Sequence, residues 1–165
     1  MVLGKQIEWA MHCASFLASL PEDMAVSVNV LAEYHEVPRD YLAKALQSLA
    51  KAGIVKTTVG PRGGYTIGRA AEEITLLDIV ESVEGEKSTF SCTEIRQKGP
   101  CKMEEKAYSG VCGIAAAMYR ADHAWRESLR STTLADINRS VNRVVPAEQK
   151  RKVMAWLEGK LSSKS

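Results

Sequence analysis

Residues 27–67 read SVNVLAEYHEVPRDYLAKALQSLAKAGIVKTTVGPRGGYTI, and the order of signals in this stretch decides the fold. Ser27 is a helix N-cap residue type, and Val28, Leu31 and Ala32 recur behind it at helical spacing as far as about Tyr34. His35-Glu36-Val37 makes a tight connection, and Pro38 suits the first turn of another helix. That helix places Tyr41, Leu42, Ala45, Leu46 and Leu49 on one face, and Gly53 supplies its C-terminal cap. Two β-type runs follow, Ile54-Val55-Lys56-Thr57-Thr58 and Gly64-Tyr65-Thr66-Ile67. They flank the turn Val59-Gly60-Pro61-Arg62-Gly63, so the pair reads as a hairpin. Helix, turn, helix and hairpin in this order is the pattern of a winged helix-turn-helix.

Outward from that stretch, residues 5–20 read as a helix carrying Ile7, Met11, Ala14, Phe16, Leu17 and Leu20, stopped by Pro21. On the other side Thr75 caps a helix from Leu76 to Val83, which Gly85 ends. Residues 86–112 are loop-like and hold three of the four cysteines. A loop of that length inside a small domain is usually functional or disordered. A long helix runs from about Gly113 to Leu129, and Thr132 or Thr133 caps the next. Its stripe of Ala115, Met118, Ala121, Ala124, Trp125 and Leu129 has no evident partner within the chain, so a second copy is expected to cover it. Pro146 precedes a last basic helix with Val153, Trp156, Leu157 and Leu161. The fold class is mainly α with a small β-hairpin wing (α+β). The expected segments are a DNA-binding domain at 1–70, a connecting helix at 71–85, a cysteine-bearing loop at 86–112, a dimerisation helix region at 113–138 and a basic extension at 139–165.

The totals exclude more than they assign. At 165 residues there is room for one or two small domains and not for a large catalytic one. The net charge of +2 says little, but its distribution is uneven. Arg39, Lys44, Lys51, Lys56, Arg62 and Arg69 face one acid, Asp40, across residues 38–69. Residues 70–94 reverse the sign, with seven acids against Lys87. A basic block beside an acidic one suits a face meant for a polyanion. Glu8 and His12 interrupt the apolar run 7–20, so it reads neither as a signal peptide nor as a membrane span, and a cytoplasmic location is expected. In that compartment the four cysteines are free or metal-bound rather than disulfide-bonded.

The third helix is expected to enter the major groove by its N-terminal end, with Arg39, Asp40, Tyr41, Lys44 and Gln47 outward. Arg39 and Gln47 suit base edges; Tyr41 and Lys44 suit phosphates. In the wing, Arg62 sits beside Gly63 and Gly64, whose freedom to take positive φ would let backbone N–H groups approach a phosphate. Tyr65 reads as hairpin packing.

Glu8 and His12 lie one turn apart on the first helix, beside Trp9 and Cys13. Cys92, Cys101 and Cys112 are spaced C-x8-C-x10-C, which is not a zinc-ribbon pattern. Thiolates bind iron and zinc well, and imidazole replaces thiolate on one iron of some [2Fe–2S] centres. Cys13 reads as a buried small hydrophobe, and His35 and His123 as polar surface groups.

Pro38-Arg39-Asp40-Tyr41-Leu42-Ala43-Lys44, Ala52-Gly53-Ile54-Val55, Gly60-Pro61-Arg62-Gly63-Gly64-Tyr65 and Ile74-Thr75-Leu76-Leu77-Asp78-Ile79-Val80 resemble, in that order, the signature of the IscR, NsrR and RsrR regulators. The resemblance covers about residues 3–138. It implies a homodimer with crossed long helices, two winged helices reading palindromic double-stranded DNA, and an iron–sulfur cluster, [2Fe–2S], controlling DNA affinity. The cysteines here are more widely spaced than in the IscR and NsrR branches, and Glu8-Trp9-Ala10-Met11-His12-Cys13 most resembles the RsrR branch. Carried over, Glu8 and His12 are ligands from one subunit, and two of Cys92, Cys101 and Cys112 come from the other. Cys112 is favoured because it opens a helix; Cys92 and Cys101 remain alternatives. Trp9, beside a ligand, is a candidate signal relay. Two rivals stand: a clusterless member of the same fold sensing through cysteine oxidation or a small molecule, and a metalloenzyme or assembly factor. Against the last, the chain shows no nucleophile–base pair and no phosphate loop.

Overall fold

A computed structural model describes residues 3–60, 63–102, 104, 108 and 110–162 of the chain. Seven helices and one hairpin follow in order: α1 (Lys5–Ala18), α2 (Val28–His35), α3 (Arg39–Lys51), β1 (Val55–Thr58), β2 (Gly64–Ile67), α4 (Leu76–Glu84), α5 (Gly113–Arg130), α6 (Leu134–Val144) and α7 (Ala147–Ser162). The strands pair antiparallel, Val55 opposite Ile67 and Thr58 opposite Gly64. The winged helix-turn-helix expected from the sequence is present.

The core forms around α1, which packs on α3, α4, α6 and β2. Ala10, Cys13, Ala14 and Leu17 are buried on its inner face, while α3 turns Leu42, Ala45, Leu46 and Leu49 toward it. This i, i+3, i+4, i+7 spacing makes one apolar stripe, each buried leucine adding about 2 kcal/mol by removal from water. Tyr41 does not join that stripe. It is 56% exposed, one position off the buried row, which corrects its placement with Leu42 and Leu46.

The caps follow the sequence closely. Ser27 Oγ accepts the Val30 N–H, and Glu36 takes the left-handed conformation that ends α2, with Val37 N–H donating to the Ala32 carbonyl. Gly53, at φ 69°, turns the chain from α3 into the hairpin, and the next amide, of Ile54, donates to the Leu49 carbonyl. Thr75 and Thr133 each open a helix through a reciprocal capping box, with Asp78 and Asp136 respectively. These two N-termini are also tied together: Leu76 N–H donates to Thr132 O and Leu134 N–H donates to Ile74 O, both at 2.9 Å.

Helix α5 differs from the rest. Only Ala115 and Asp122 on it are buried, and Ile114, Met118 and Tyr119 are exposed at 71%, 39% and 42%. Among the described residues no helix is long and apolar enough to cross a membrane.

Candidate nucleic-acid interface and sensing centre

The outer side of α3 carries Arg39, Asp40, Tyr41, Lys44 and Gln47, all exposed. Asp40, Lys44, Gln47 and Lys51 fall on one row at i, i+4, i+7 and i+11, opposite the leucines. Lys44 Nζ lies over the Tyr41 ring, 5.7 Å from its centroid. Arg39 is more constrained than its sequence position suggests. Its Nε donates to Asn29 Oδ1 at 3.0 Å and its Nη1 donates to Asp40 Oδ1 at 2.8 Å. Asn29, exposed on α2, thus belongs to this face, and sequence reasoning misses it because no local pattern links it to Arg39 ten residues on.

The wing corrects one expectation. Neither Gly63 nor Gly64 takes a positive φ; Gly60 does, at 117°. Their amides are internally engaged, Gly63 N–H to the Gly60 carbonyl at 2.8 Å and Gly64 N–H to Thr58 Oγ1 at 3.2 Å. Glycine is required there by close packing instead. A Cβ on Gly63 would collide with the Thr58 carbonyl oxygen, and one on Gly64 would lie 2.5 Å from the Val26 carbonyl. That proximity lets Val26 and Tyr65 exchange two backbone hydrogen bonds, at 3.0 and 2.8 Å. Tyr65 is half-buried against the core, as hairpin packing requires. Arg62 lies outside the described residues.

On α1, Glu8 is exposed, His12 is exposed along one side, and Trp9 is half-buried against the core. The His12 ring stands 6.0 Å from the ring of His35. His35 is not a surface group: Tyr34 and Phe16 meet it edge-on, and its Nε2 is buried without a partner. Burial first, then the nearby His12, pushes its pKa down to about 4. His123 is exposed, as expected. Cys13 is fully buried and desolvation pushes its thiol up to about 12, so it is an inert apolar filler.

Segment 86–112 is more ordered than its composition suggests. Asp122 on α5 accepts the Thr89 N–H at 3.1 Å, and Arg126 donates to Asp122, to Glu81 and to the Lys87 carbonyl. Farther along, a 3-10 turn at Ile95–Gln97 is held by Arg96, which donates to Glu94 and to the Gly110 carbonyl. Tyr108 closes this knot by donating to the Arg96 carbonyl at 2.8 Å.

Cys92 and Cys112 are both half-buried and lie within electrostatic reach of Arg96. The hydrogen bond to Glu94 first, and then the proximity of both thiols, raises the Arg96 pKa. Cys92 Sγ sits 3.7 Å from Glu94 Oε1. Cys112 is the N-cap of α5; no full hydrogen bond closes on its sulfur, but the Ala115 and Ile114 amides favour its thiolate, and Arg96 adds to them. Together they hold the thiol below its ordinary value. Cys101 is exposed. The sequence reading assigns no role to Arg96 or Glu94, although an arginine between the first two cysteines is a readable signal. Among the described residues all four cysteines are free, and no three His, Cys, Asp or Glu side chains of one chain converge to hold a metal ion.

A winged helix-turn-helix with a polar row on its recognition helix is the architecture of a DNA-binding transcription regulator. The chain belongs to the Rrf2 family, described as iron-dependent transcriptional regulators, whose model matches residues 3–140. It is similar to the protein aau3 of Rhizobium meliloti, 31% identical over 83% of this chain and 84% of that one. The HTH-type transcriptional regulator NsrR of Bacillus licheniformis is 26% identical over 83% of this chain and 92% of its own. The structure of CymR, the global cysteine regulator of B. subtilis, superposes with a TM-score of 0.65 at 26% identity, covering 85% of this chain and 98% of that one.

Proposed function

We propose that this regulator binds palindromic double-stranded DNA as a homodimer, and that a [2Fe–2S] cluster shared between the two copies sets its affinity. The observation carrying this reading is the split donor set. Cys92 and Cys112 are both half-buried and both within electrostatic reach of Arg96, Glu8 and His12 lie on the open side of α1, and no three of these groups converge within one chain. Two thiols make half of a four-ligand site, and a carboxylate–imidazole pair from a second copy would supply the other half. The donor chemistry therefore fits: Cys92 and Cys112 would hold one iron, Glu8 and His12 the other. Bound there, the cluster would supply a redox couple. Arg96 offsets the negative charge of the two thiolates, and the α5 amides favour the ionised form of Cys112. Trp9, one residue from Glu8, connects that helix face to the core and is the candidate relay to the reading head.

The exposed Ile114 and Met118 on α5, with the half-buried Trp125 farther along it, support dimerisation, since an apolar helix face of this kind is normally covered. On DNA, Asp40, Tyr41, Lys44 and Gln47 face the major groove, and Arg39 joins them after releasing Asn29. Gln47 reads base edges and Lys44 holds phosphate. Arg62 is assigned to the wing contact.

Iron and sulfide content with the visible spectrum of anaerobically purified protein tests this reading. Brown protein with about two irons and two sulfides per site is expected. Glu8→Ala, His12→Ala, Cys92→Ser and Cys112→Ser should each bleach it, whereas Cys101→Ser should not. Bleaching by Cys101→Ser alone, or retention of colour in Cys112→Ser, would refute the ligand set.

The lowered pKa of Cys112 favours one second reading, a clusterless regulator sensing through thiol oxidation. Colourless protein whose DNA affinity changes on peroxide treatment and is restored by thiols would establish it instead.

A further inference from the structure

The C-terminal helix α7 lies beyond the part of the chain that matches the family model, yet it is not an idle tail. Leu157 is fully buried, Trp156 meets the Tyr34 ring with centroids 5.7 Å apart, and Lys160 pairs with Glu33. These contacts bind α7 to α2, the helix behind the recognition helix. Between α1, α2, α6 and α7 they leave a cavity of about 380 Å³. That falls in the size range of small-molecule sites, roughly 300–1,000 Å³.

Its wall is largely apolar, made by Phe16, Leu20, Val141, Val145, Val153 and Met154. Its polar side chains are not spread evenly in kind. Lys150, Asn142 and Gln149 come from the α6–α7 junction, His12, Ser15, Ser19, Tyr34, His35 and Asn138 complete the polar lining, and no Asp or Glu lines the cavity. Lys150 Nζ donates to the Asn142 carbonyl at 3.3 Å, which fixes the ammonium at the C-terminal end of α6. An ammonium carries three N–H bonds, so donors remain for an occupant. A hydrocarbon wall with one fixed cation, amide donors beside it and no carboxylate discriminates by charge as well as by shape.

We infer that this cavity is a binding site for a small amphipathic carboxylate, its chain against Phe16, Leu20 and Val153 and its head on Lys150. The site uses none of the thiols, although His12, proposed above as a cluster ligand, stands at its edge. An occupant would touch α1, α2 and α7 together, and so would bear directly on how α7 holds the reading head.

Isothermal titration of the full chain with octanoate, octanol and octylamine tests this. Saturable octanoate binding is expected, tighter than octylamine by at least about tenfold, the factor that one charge-assisted hydrogen bond supplies. Lys150→Met should abolish the preference for octanoate over octylamine, and Val153→Trp should fill the cavity and remove octanoate binding. Circular dichroism and retention on duplex DNA show whether each variant is folded; if Val153→Trp is not, the Lys150→Met comparison decides. No saturable octanoate binding to the native chain overturns the proposal. So does a charge preference that survives Lys150→Met. Either failure leaves the cluster reading untouched, because that reading is tested by iron, sulfide and colour.

Discussion

Gly64→Ala is a one-methyl change whose cost follows from backbone proximity. The added Cβ would sit 2.5 Å from the Val26 carbonyl carbon and oxygen and 2.8 Å from the Ser27 nitrogen. All three are backbone atoms, so no side chain can swing aside. Relief requires β2 to retreat from the 26–27 segment. That movement strains or breaks the two hydrogen bonds exchanged by Val26 and Tyr65, at about 1 kcal/mol each. Residual overpacking adds about 1–3 kcal/mol, so the total is roughly 3–5 kcal/mol. Gly159→Ala provides the control: nothing lies within 4 Å of the place its methyl group would occupy, and the position is inside α7. There alanine should stabilise by about 0.5–1 kcal/mol through helix propensity. Urea denaturation at one protomer concentration gives both values. A Gly64→Ala variant within about 0.5 kcal/mol of the native chain, the spread of ordinary surface changes, would refute the close-packing argument for the wing.

Further outcomes follow for the DNA face, the thiols and the buried histidine. With an operator selected from a random duplex library, Lys44→Ala should weaken all sequences alike and reduce the salt slope by about one, while Gln47→Ala should relax base preference; equal losses on every sequence for Gln47→Ala would remove its assigned role. In reduced, iron-free protein at neutral pH, iodoacetamide should label Cys112 early and Cys13 only on unfolding, because the first thiol is shifted down and the second up to about 12; mass spectrometry showing native Cys13 labelled as fast as Cys112 would contradict this. His35 has a folded pKa of about 4 against an ordinary 6.5, so the unfolded chain binds the extra proton between those values. Its stabilising effect is complete above about pH 6.5 and is lost as pH falls toward 4. After discounting for partial exposure, the loss is about 1–2 kcal/mol. His35→Gln should flatten that part of the stability–pH curve, and an unchanged slope would show that another group titrates there.

The fold is legible in the sequence because its signals are local. Ser27, Thr75 and Thr133 cap helices within four residues of themselves, Gly53 ends one, and the leucines of α3 repeat at helical spacing. Tyr41 is misplaced by that reading because periodicity alone cannot separate the edge of an apolar stripe from its centre. The glycine pair stands out in the sequence for the wrong physical reason: a crowded neighbour from residue 26 is invisible in a window around residue 64. The candidate sensing centre is legible only in its residue types and positions. Residue types and the helix-opening position of Cys112 are readable, whereas the knot of Glu94, Arg96 and Tyr108 beside Cys92 depends on contacts the spacing does not encode. His35 shows the same limit, since its burial comes from α1 and its own aromatic neighbour together.

The tie between the starts of α4 and α6 has a consequence for how this chain tolerates change. Two backbone hydrogen bonds join Ile74 to Leu134 and Leu76 to Thr132, so everything from the start of α4 to the end of α5 is a detour that leaves and returns at one place. The reading head therefore does not depend on how long that detour is. Residues can be inserted between Cys92 and Cys112, or removed, without shifting the register of the remaining core, and the spacing of the cysteines becomes a free variable. What such a detour cannot do is absorb a twist by slackening at its ends. A rotation imposed on α5 arrives at the clasp as torque and is handed to α4 and α6, which pack on α1 and, through α4, on α3.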